Sequence, residues 1–366
     1  MQLRTAVLAI ASLTVSSTAL SQASAPPTAA PPAAAPQKPA AAAPQKTATP
    51  AAAPPKAAAP GAPQKPAPAA PAAAIKSCYP SKWGPSDQKG AANNITQQKT
   101  LEAAKLIKRG KSIRMGIETN SKTPAFAPRT FSVTVLAPGQ EYGRTIGATK
   151  TSYHDDIING WVGIGSQIDG LGHVGIDGVY YNCLKGADVI ATGGLKKLGI
   201  ENVPAIATRA VILDMTSLLG QKPVAEGTAF NRAQIEAAIK KQKLSPITQG
   251  DVVIFYTGWA QLIGKDDKRY GSVEPGLGIE GAQYLASLGV AAVGSDSWAV
   301  EVLPPERPND AFHVHQILLA QNGVYILENV DAGEAVADGV YEGFFTLGPS
   351  RVTGAVQSII NPILVY

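Results

Sequence analysis

The chain has 366 residues and a formal net charge of +5, but Arg4, Lys38, Lys46, Lys56 and Lys65 supply that excess within a first stretch of 75 residues that holds no acid. The remainder sums to zero, which excludes the basic surface of a nucleic-acid binder. The roughly 290 residues beyond that stretch are enough for one large domain with a substantial core.

Arg4, the apolar run from Ala6 to Leu20 and the small residues Ala23, Ser24 and Ala25 match the charged, apolar and cleavage regions of a secretory signal peptide. Residues 1–25 are therefore expected to direct export, to the periplasm or outside the cell. About fifteen apolar residues are few for a bilayer span, so no integral membrane segment is expected after cleavage. From Pro26 to Ala74 the chain is mostly Ala, Pro, Lys and Gln, carries 15 of the 29 prolines, and repeats Pro-Gln-Lys at Pro36, Pro44 and Pro63. Proline at that density blocks helical hydrogen bonding, and there is almost nothing large to bury, so 26–74 reads as a disordered, solvated linker and 75–366 as the folded domain. The two cysteines, Cys78 and Cys183, can pair in an oxidising compartment or stay apart, and their spacing fits no zinc motif.

In chain order, Thr96 is expected to cap a helix with Leu106 and Ile107 on its buried side and Gly110 as its stop. Strands are expected from Ser112 to Ile117 and from Thr130 to Leu136, followed by the polar approach His154-Asp155-Asp156. Residues 163 to 178 hold six glycines among polar side chains, too many for a helix or a long strand. A buried strand is expected at Ala210–Asp214, and a helix opened by the capping-box spacing of Asn231 and Gln234 with Ile235, Ala238 and Ile239 on one face. Strand 251–257, helix 281–288, strand 290–294, helix 312–322 and strand 324–328 complete the alternation. The pattern predicts an α/β fold: a single domain with a mixed, largely buried β-sheet flanked by helices.

Two glycine runs, Gly170-x-Gly172-x-x-Gly175 and Gly276-x-Gly278-x-x-Gly281, match the dinucleotide fingerprint as text but lack its strand-turn-helix setting. Histidine is scarce, with four in all. In extended backbone Gln167 and Asp169 project to one side, and Gly170 with Gly172 can fold His173 back toward them. The same stretch also reads as a tight turn with Asp169 as its cap. A helix of roughly 10 Å followed by a returning strand of roughly 13 Å brings His315 and Glu328 to similar height, with His313 pointing elsewhere. Glu328 ends an apolar strand, where a carboxylate needs a partner, and an ion pair would also serve.

The segment Gly163-Ile164-Gly165-Ser166-Gln167-Ile168-Asp169-Gly170-Leu171-Gly172-His173 resembles the motif His-x-Gly-Thr-His-x-Asp-x-Pro-x-His of the cyclase family of metal-dependent hydrolases, which includes bacterial kynurenine formamidases and isatin hydrolase. The likeness extends over most of residues 80–366, through Trp83-Gly84-Pro85, Asp155-Asp156, Gly250-Asp251, Thr257-Gly258-Trp259, Pro275-Gly276, Gly294-Ser295-Asp296, Val314-His315-Gln316 and Glu328-Asn329. The resemblance implies a swivelling β/β/α fold, a divalent cation (Zn²⁺ or Mn²⁺, with Mg²⁺ next) held by Asp169, His315 and Glu328, His173 as catalytic acid/base, and a homo-oligomer. Two histidine ligands of the motif are replaced, by Gly163 and by Gln167, whose amide oxygen is the expected substitute ligand. The implied activity is hydrolysis of a C–N bond in a small amide or cyclic amide, of which an aromatic amide is one form. Ser166, Tyr181, Trp259 and Trp298 are the candidate substrate contacts. The missing histidines also motivate a non-catalytic binding protein on the same scaffold, and the linker motivates a surface-associated structural role.

Overall fold

The computed structural model describes residues 78–136 and 145–366; the expected signal segment and the linker lie outside the described residues. In chain order the strands of the main sheet are β1 (Ser112–Arg114), β2 (Gln167–Asp169), β3 (Ile206–Asp214), β4 (Val252–Tyr256), β5 (Ala292–Ser295), β6 (Tyr325–Glu328), β7 (Glu342–Leu347), β8 (Gln357–Ile359) and β9 (Ile363–Val365). Their order across the sheet is β1-β9-β7-β3-β4-β5-β6-β2-β8. The apolar runs in β3 to β6 form the parallel centre, as strands buried on both faces must. Antiparallel strands flank it, β7 beside β3 on one side and β2 beside β6 on the other. The mixed, buried sheet expected from the alternating pattern is therefore present. Among the described residues no helix is long and apolar enough to cross a membrane.

Helices α1 (Gln97–Ala104) and α2 (Arg232–Gln242) carry the expected start signals, and α3 (Ile279–Ser287) begins two residues before the expected 281. The Thr96 side chain accepts from Lys99 N at 3.1 Å, and Gln234 Oε1 accepts from Asn231 N at 3.1 Å. The buried side of α1 differs from expectation: Ala103 is buried, Leu101 is 62% exposed, and Leu106 and Ile107 lie beyond the helix. The helix sits so close to β3 that Thr100 Oγ1 reaches Ala207 O at 2.7 Å, which leaves room for alanine and not for leucine. The second glycine run does open a helix, because Gly278 caps α3. That terminus is already filled: Glu306 accepts from Ile279 N, and Asn231 Oδ1 accepts from Gly281 N at 2.9 Å. A Cβ at Gly281 would meet Phe230 O at 2.2 Å, so this glycine serves packing.

Cys78 and Cys183 form a disulfide, with a Cα–Cα distance of 4.9 Å. Beside it Asp87 collects four donors: Ser81 Oγ and the Tyr181 hydroxyl at 2.7 Å, Asn93 Nδ2 at 2.8 Å and Lys89 N at 3.0 Å. Burial pushes this carboxyl up, but the hydrogen bonds together outweigh it and hold it below its ordinary value. Tyr181 is thus a buried member of this cluster, where the sequence suggested a substrate contact. A carboxyl depressed in the folded state stabilises the fold above its unfolded value near 3.8 and loses that contribution as pH falls through the folded value. Asp87→Asn is expected to cost about 1.5–3 kcal/mol at neutral pH. Denaturant unfolding of both forms from pH 7 downward checks this, with the gap narrowing below pH 3.8.

Candidate metal centre

β2 has only three residues, all buried, and it lies between β6 and β8. Its antiparallel register sets Gln167 opposite Glu328 and Asp169 opposite Gln357. Cross-strand partners share a face, as do residues two apart on one strand. Gln167, Asp169, Glu328 and Gln357 therefore converge, confirming the common side inferred for the first two. Gln357 Nε2 donates to Asp169 Oδ1 at 2.7 Å; Gln167 Nε2 donates to Glu328 Oε2 at 2.6 Å and to Asp169 Oδ1 at 3.3 Å. Between two buried carboxylates a donor is favoured over an acceptor, so the Gln167 amide turns its nitrogen toward both acids.

His315 ends the short helix His313–His315, which continues into the π-helical turns Gln316–Gln321, a wider winding common at functional sites. Glu301 Oε2 accepts from both His315 N at 3.2 Å and His315 Nδ1 at 3.0 Å. That bond places the proton on Nδ1 and leaves Nε2 facing Glu328 Oε1 at 3.4 Å and Asp169 Oδ2 at 3.7 Å. His313 bonds Asp310 at 2.7 Å and faces away, as its spacing predicted. Asp169 Oδ2 is buried with no hydrogen-bond partner. One donor atom from each of Asp169, His315 and Glu328 lies within 4.8 Å of the others.

His173 returns toward this group through a turn closed by His173 N and Gly170 O at 3.0 Å. Its Nε2 is 3.9 Å from Asp169 Oδ2, and its side chain keeps 22% of its surface exposed. The two glycines between them work through close approach and not through positive φ: a Cβ on Gly170 would stand 2.7 Å from Val356 O, and one on Gly172 2.5 Å from Leu195 Cδ1.

Burial, then the neighbouring Asp169 charge, pushes Glu328 up to about 7. Burial works against the charge on His315, but its bonds to Glu301 and Glu328 and the Asp169 charge together raise it well above the ordinary value. Burial lowers His173, Asp169 opposes that, and His315 and Arg129 reinforce it. A divalent cation, which would displace the proton on His315 Nε2, fits the cluster, on the observation of the orphaned Asp169 oxygen facing that imidazole nitrogen and the Glu328 carboxylate.

Ser166 is fully committed elsewhere: its hydroxyl donates to Asn329 O at 2.6 Å and accepts from Ile117 N at 2.8 Å, which removes it from the substrate contacts. Trp259 is buried in the core, with Nε1 donating to Tyr270 O at 3.3 Å and Arg269 over its ring. Trp298 is half-buried and stacks on Phe126 at 5.7 Å, and it remains the one aromatic candidate of the three. Phe312, not anticipated from the sequence, lies edge-on to His315 at 5.2 Å. Glu301 was also missed, although an acid inside Ala299-Val300-Glu301-Val302 carries the same burial signal that singled out Glu328. Gln357 was invisible, because only the pairing of β8 with β2 brings it to Asp169. The room left by the small residue at Gly163 is filled: a Cβ there would meet Gln357 Oε1 at 2.6 Å and Arg129 Nη1 at 2.9 Å.

A buried carboxylate-imidazole centre on a mixed α/β sheet defines the class. A family model described as "Putative cyclase" matches residues 95–302. The crystal structure of a novel cyclase is 31% identical, covers 78% of this chain and 96% of its own, and superposes with a TM-score of 0.71. The chain belongs to the cyclase family. Isatin hydrolase A from Labrenzia aggregata, bound to benzyl benzoate, shares the fold at 14% identity, with 70% of this chain and 94% of its own covered and a TM-score of 0.52. Isatin hydrolase A from Ralstonia solanacearum does so at 15%, with coverage of 74% and 97% and a TM-score of 0.52. No curated protein matches the chain.

Because Gln357 and Arg129 fill the space beside Gly163, Gly163→His alone is expected to displace Gln357 from Asp169 and leave Zn²⁺ affinity nearly unchanged. Gly163→His with Gln357→Ala opens the space for the ring and is expected to raise Zn²⁺ affinity about tenfold or more, as an added imidazole ligand should. Titration calorimetry of the two variants separates these outcomes.

Proposed function

We propose that this protein is a metal-dependent hydrolase that cleaves the C–N bond of a small amide or cyclic amide. The observation that carries the reading is the unpartnered, buried Asp169 Oδ2 facing His315 Nε2 and Glu328 Oε1. Asp169, His315 and Glu328 would hold the ion, with Gln167 and Gln357 holding the two carboxylates in place. A bound divalent cation supplies Lewis acidity toward a carbonyl oxygen and toward water.

His173 is the group left to move protons. It is partly exposed, 3.9 Å from Asp169 Oδ2, and lowered by burial, so it is neutral near pH 7 and able to accept a proton from attacking water. Its return of that proton to the departing nitrogen completes the cleavage with water as the only co-reactant. Phe312, edge-on to His315, offers apolar surface for an aromatic ring at the site, and the Trp298–Phe126 stack is the further aromatic candidate. The relatives bound to benzyl benzoate and to thioisatinate, a product analogue, support a small aromatic substrate for this chain. Export is part of the proposal, supported by the leader-like N-terminus and by a disulfide that an oxidising compartment would preserve.

One observation favours a second reading, a binding protein without turnover: Gln357 and Arg129 occupy the space beside Gly163, so the donor set is not rebuilt there. Elemental analysis of the full-length protein purified without added metal, paired with release of acid from an aromatic formamide or isatin, distinguishes the readings. Hydrolysis that is lost on chelation supports the first; binding without hydrolysis in metal-loaded protein supports the second.

Three outcomes are expected. Asp169→Ala should abolish the bound ion and the stabilisation by Mn²⁺, which reaches about 2.7 kcal/mol at 100 times the dissociation constant. His173→Ala should keep the ion and lower kcat by about 100- to 10,000-fold. In the wild type, kcat/KM should fall with acidity through a midpoint below 6.5, because burial lowers His173 and only its neutral form accepts a proton.

A further inference from the structure

The chain turns back on itself at 126–129, where Arg129 N donates to Phe126 O at 3.0 Å. Both ends of this turn are tied to the surroundings of the metal centre. Phe126 stacks on Trp298 at 5.7 Å, and the residue before Trp298, Ser297, accepts at its carbonyl from the N–H of Asn329, next to Glu328, at 2.9 Å. At the other end Arg129 Nη1 donates to Gly163 O at 2.5 Å and stands 2.9 Å from the point that a Cβ of Gly163 would occupy. Gln357 Oε1 lies 2.6 Å from that same point, while its Nε2 holds Asp169. The guanidinium therefore sits beside the buried acids, where the side chain of the motif's first histidine would begin. Burial comes first in the shifts of His173 and Glu328, and the Arg129 charge adds to it at His173 and opposes it at Glu328.

We infer that Arg129 anchors an anionic group of the substrate, so that the site takes small aromatic amides that also carry a carboxylate; this deepens the proposed hydrolysis and rests on it. Of the described arginines, Arg129 alone is partly buried with no carboxylate in ion-pair contact among the described residues, whereas the other two that are not exposed, Arg209 and Arg269, pair with Asp251 and Glu226. A cation drawn partly out of water is costly without a counter-ion, and that cost is recovered when an anion arrives. The bond to Gly163 O uses a single N–H and leaves the rest of the guanidinium fork unused, the planar donor set that fits a carboxylate in two parallel bonds. A brace on Gly163 O alone needs one donor, which a neutral side chain supplies as well. Phe126 stands on the same turn, so one short segment offers an aromatic face and a cation together, the two features by which an aromatic carboxylate is recognised.

The test compares formanilide with its ortho, meta and para ring carboxylates as substrates of the full-length, Mn²⁺-loaded protein. Beside the wild type stand Arg129→Gln, which keeps a donor for Gly163 O without the charge, and Arg129→Lys, which keeps the charge, each with wild-type far-UV circular dichroism. The wild type is expected to prefer at least one carboxylate about tenfold or more in kcat/KM, chiefly through KM, with the preference lost in Arg129→Gln and partly kept in Arg129→Lys. A wild type without preference overturns the inference, as does an Arg129→Gln variant that lowers kcat/KM for every substrate alike, the signature of a brace. If none of the substrates is cleaved, hydrolysis of this class fails on its own, and calorimetry with benzoate decides on the anion site. Binding about tenfold tighter in the wild type than in Arg129→Gln supports it, and equal binding, to the ion alone, overturns it.

Discussion

Two carboxylates buried side by side must be balanced by something, and the molecule arranges most of its site around that requirement. The arrangement begins with the insertion of the three-residue strand Gln167–Asp169 between Tyr325–Glu328 and Gln357–Ile359. Because a strand alternates its faces, a register shift of one residue would turn Asp169 and Gln167 away from Glu328 and Gln357 together. The two amides meet part of the demand with neutral N–H donors. They leave one oxygen of Asp169 unsatisfied, and it points at an imidazole whose other nitrogen is already claimed by Glu301.

The surrounding network explains how so small a strand stays in place. Asn329, directly after Glu328, takes a left-handed backbone (φ 56) and donates from Nδ2 to Gly165 O at 2.7 Å, while its carbonyl accepts from Ser166. The Tyr270 hydroxyl donates to Asn329 Oδ1. One residue thus ties the end of Glu328's strand to the start of Asp169's. Nearby, burial pushes Asp296 up to about 7 against the donors from Thr257 N and Gly258 N that hold it. Satisfied networks of this kind rigidify a site because each member left unpaired would be costly.

Much of this was legible in the chain and some was not. The parallel centre could be read, because runs such as Val252–Tyr256 are apolar throughout, and the helix starts at Thr96 and Asn231 carry local capping chemistry. Asp169, Glu328 and His315 were legible because each is a polar residue in a setting that would punish it unpartnered. The aromatic assignments failed for the opposite reason: Tyr181 and Trp259 look alike in sequence whether they line a cleft or fill a core, and both fill a core. Gln357 and Arg129 could not be found at all, because their role is defined by an absence at Gly163 and by pairing across nearly two hundred residues. The six-glycine segment needs its glycines for two reasons: Gly165 and Gly178 take positive φ (68 and 71), the backbone freedom read from the sequence, whereas Gly170 and Gly172 are required by crowding against Val356 O and Leu195 Cδ1.

The grip of Glu301 on His315 sets a dimensional tolerance for the chain. Five residues separate Ser295, the end of a central strand, from Glu301, and the path passes through Val300 in a left-handed conformation (φ 63) that β-branched residues seldom take. One residue more or fewer would shift the acid by about 3.5 Å and break both contacts to the imidazole and its backbone. That segment therefore behaves as a gauge block: related chains that keep this centre should vary in almost any surface loop before they vary in the length of this one.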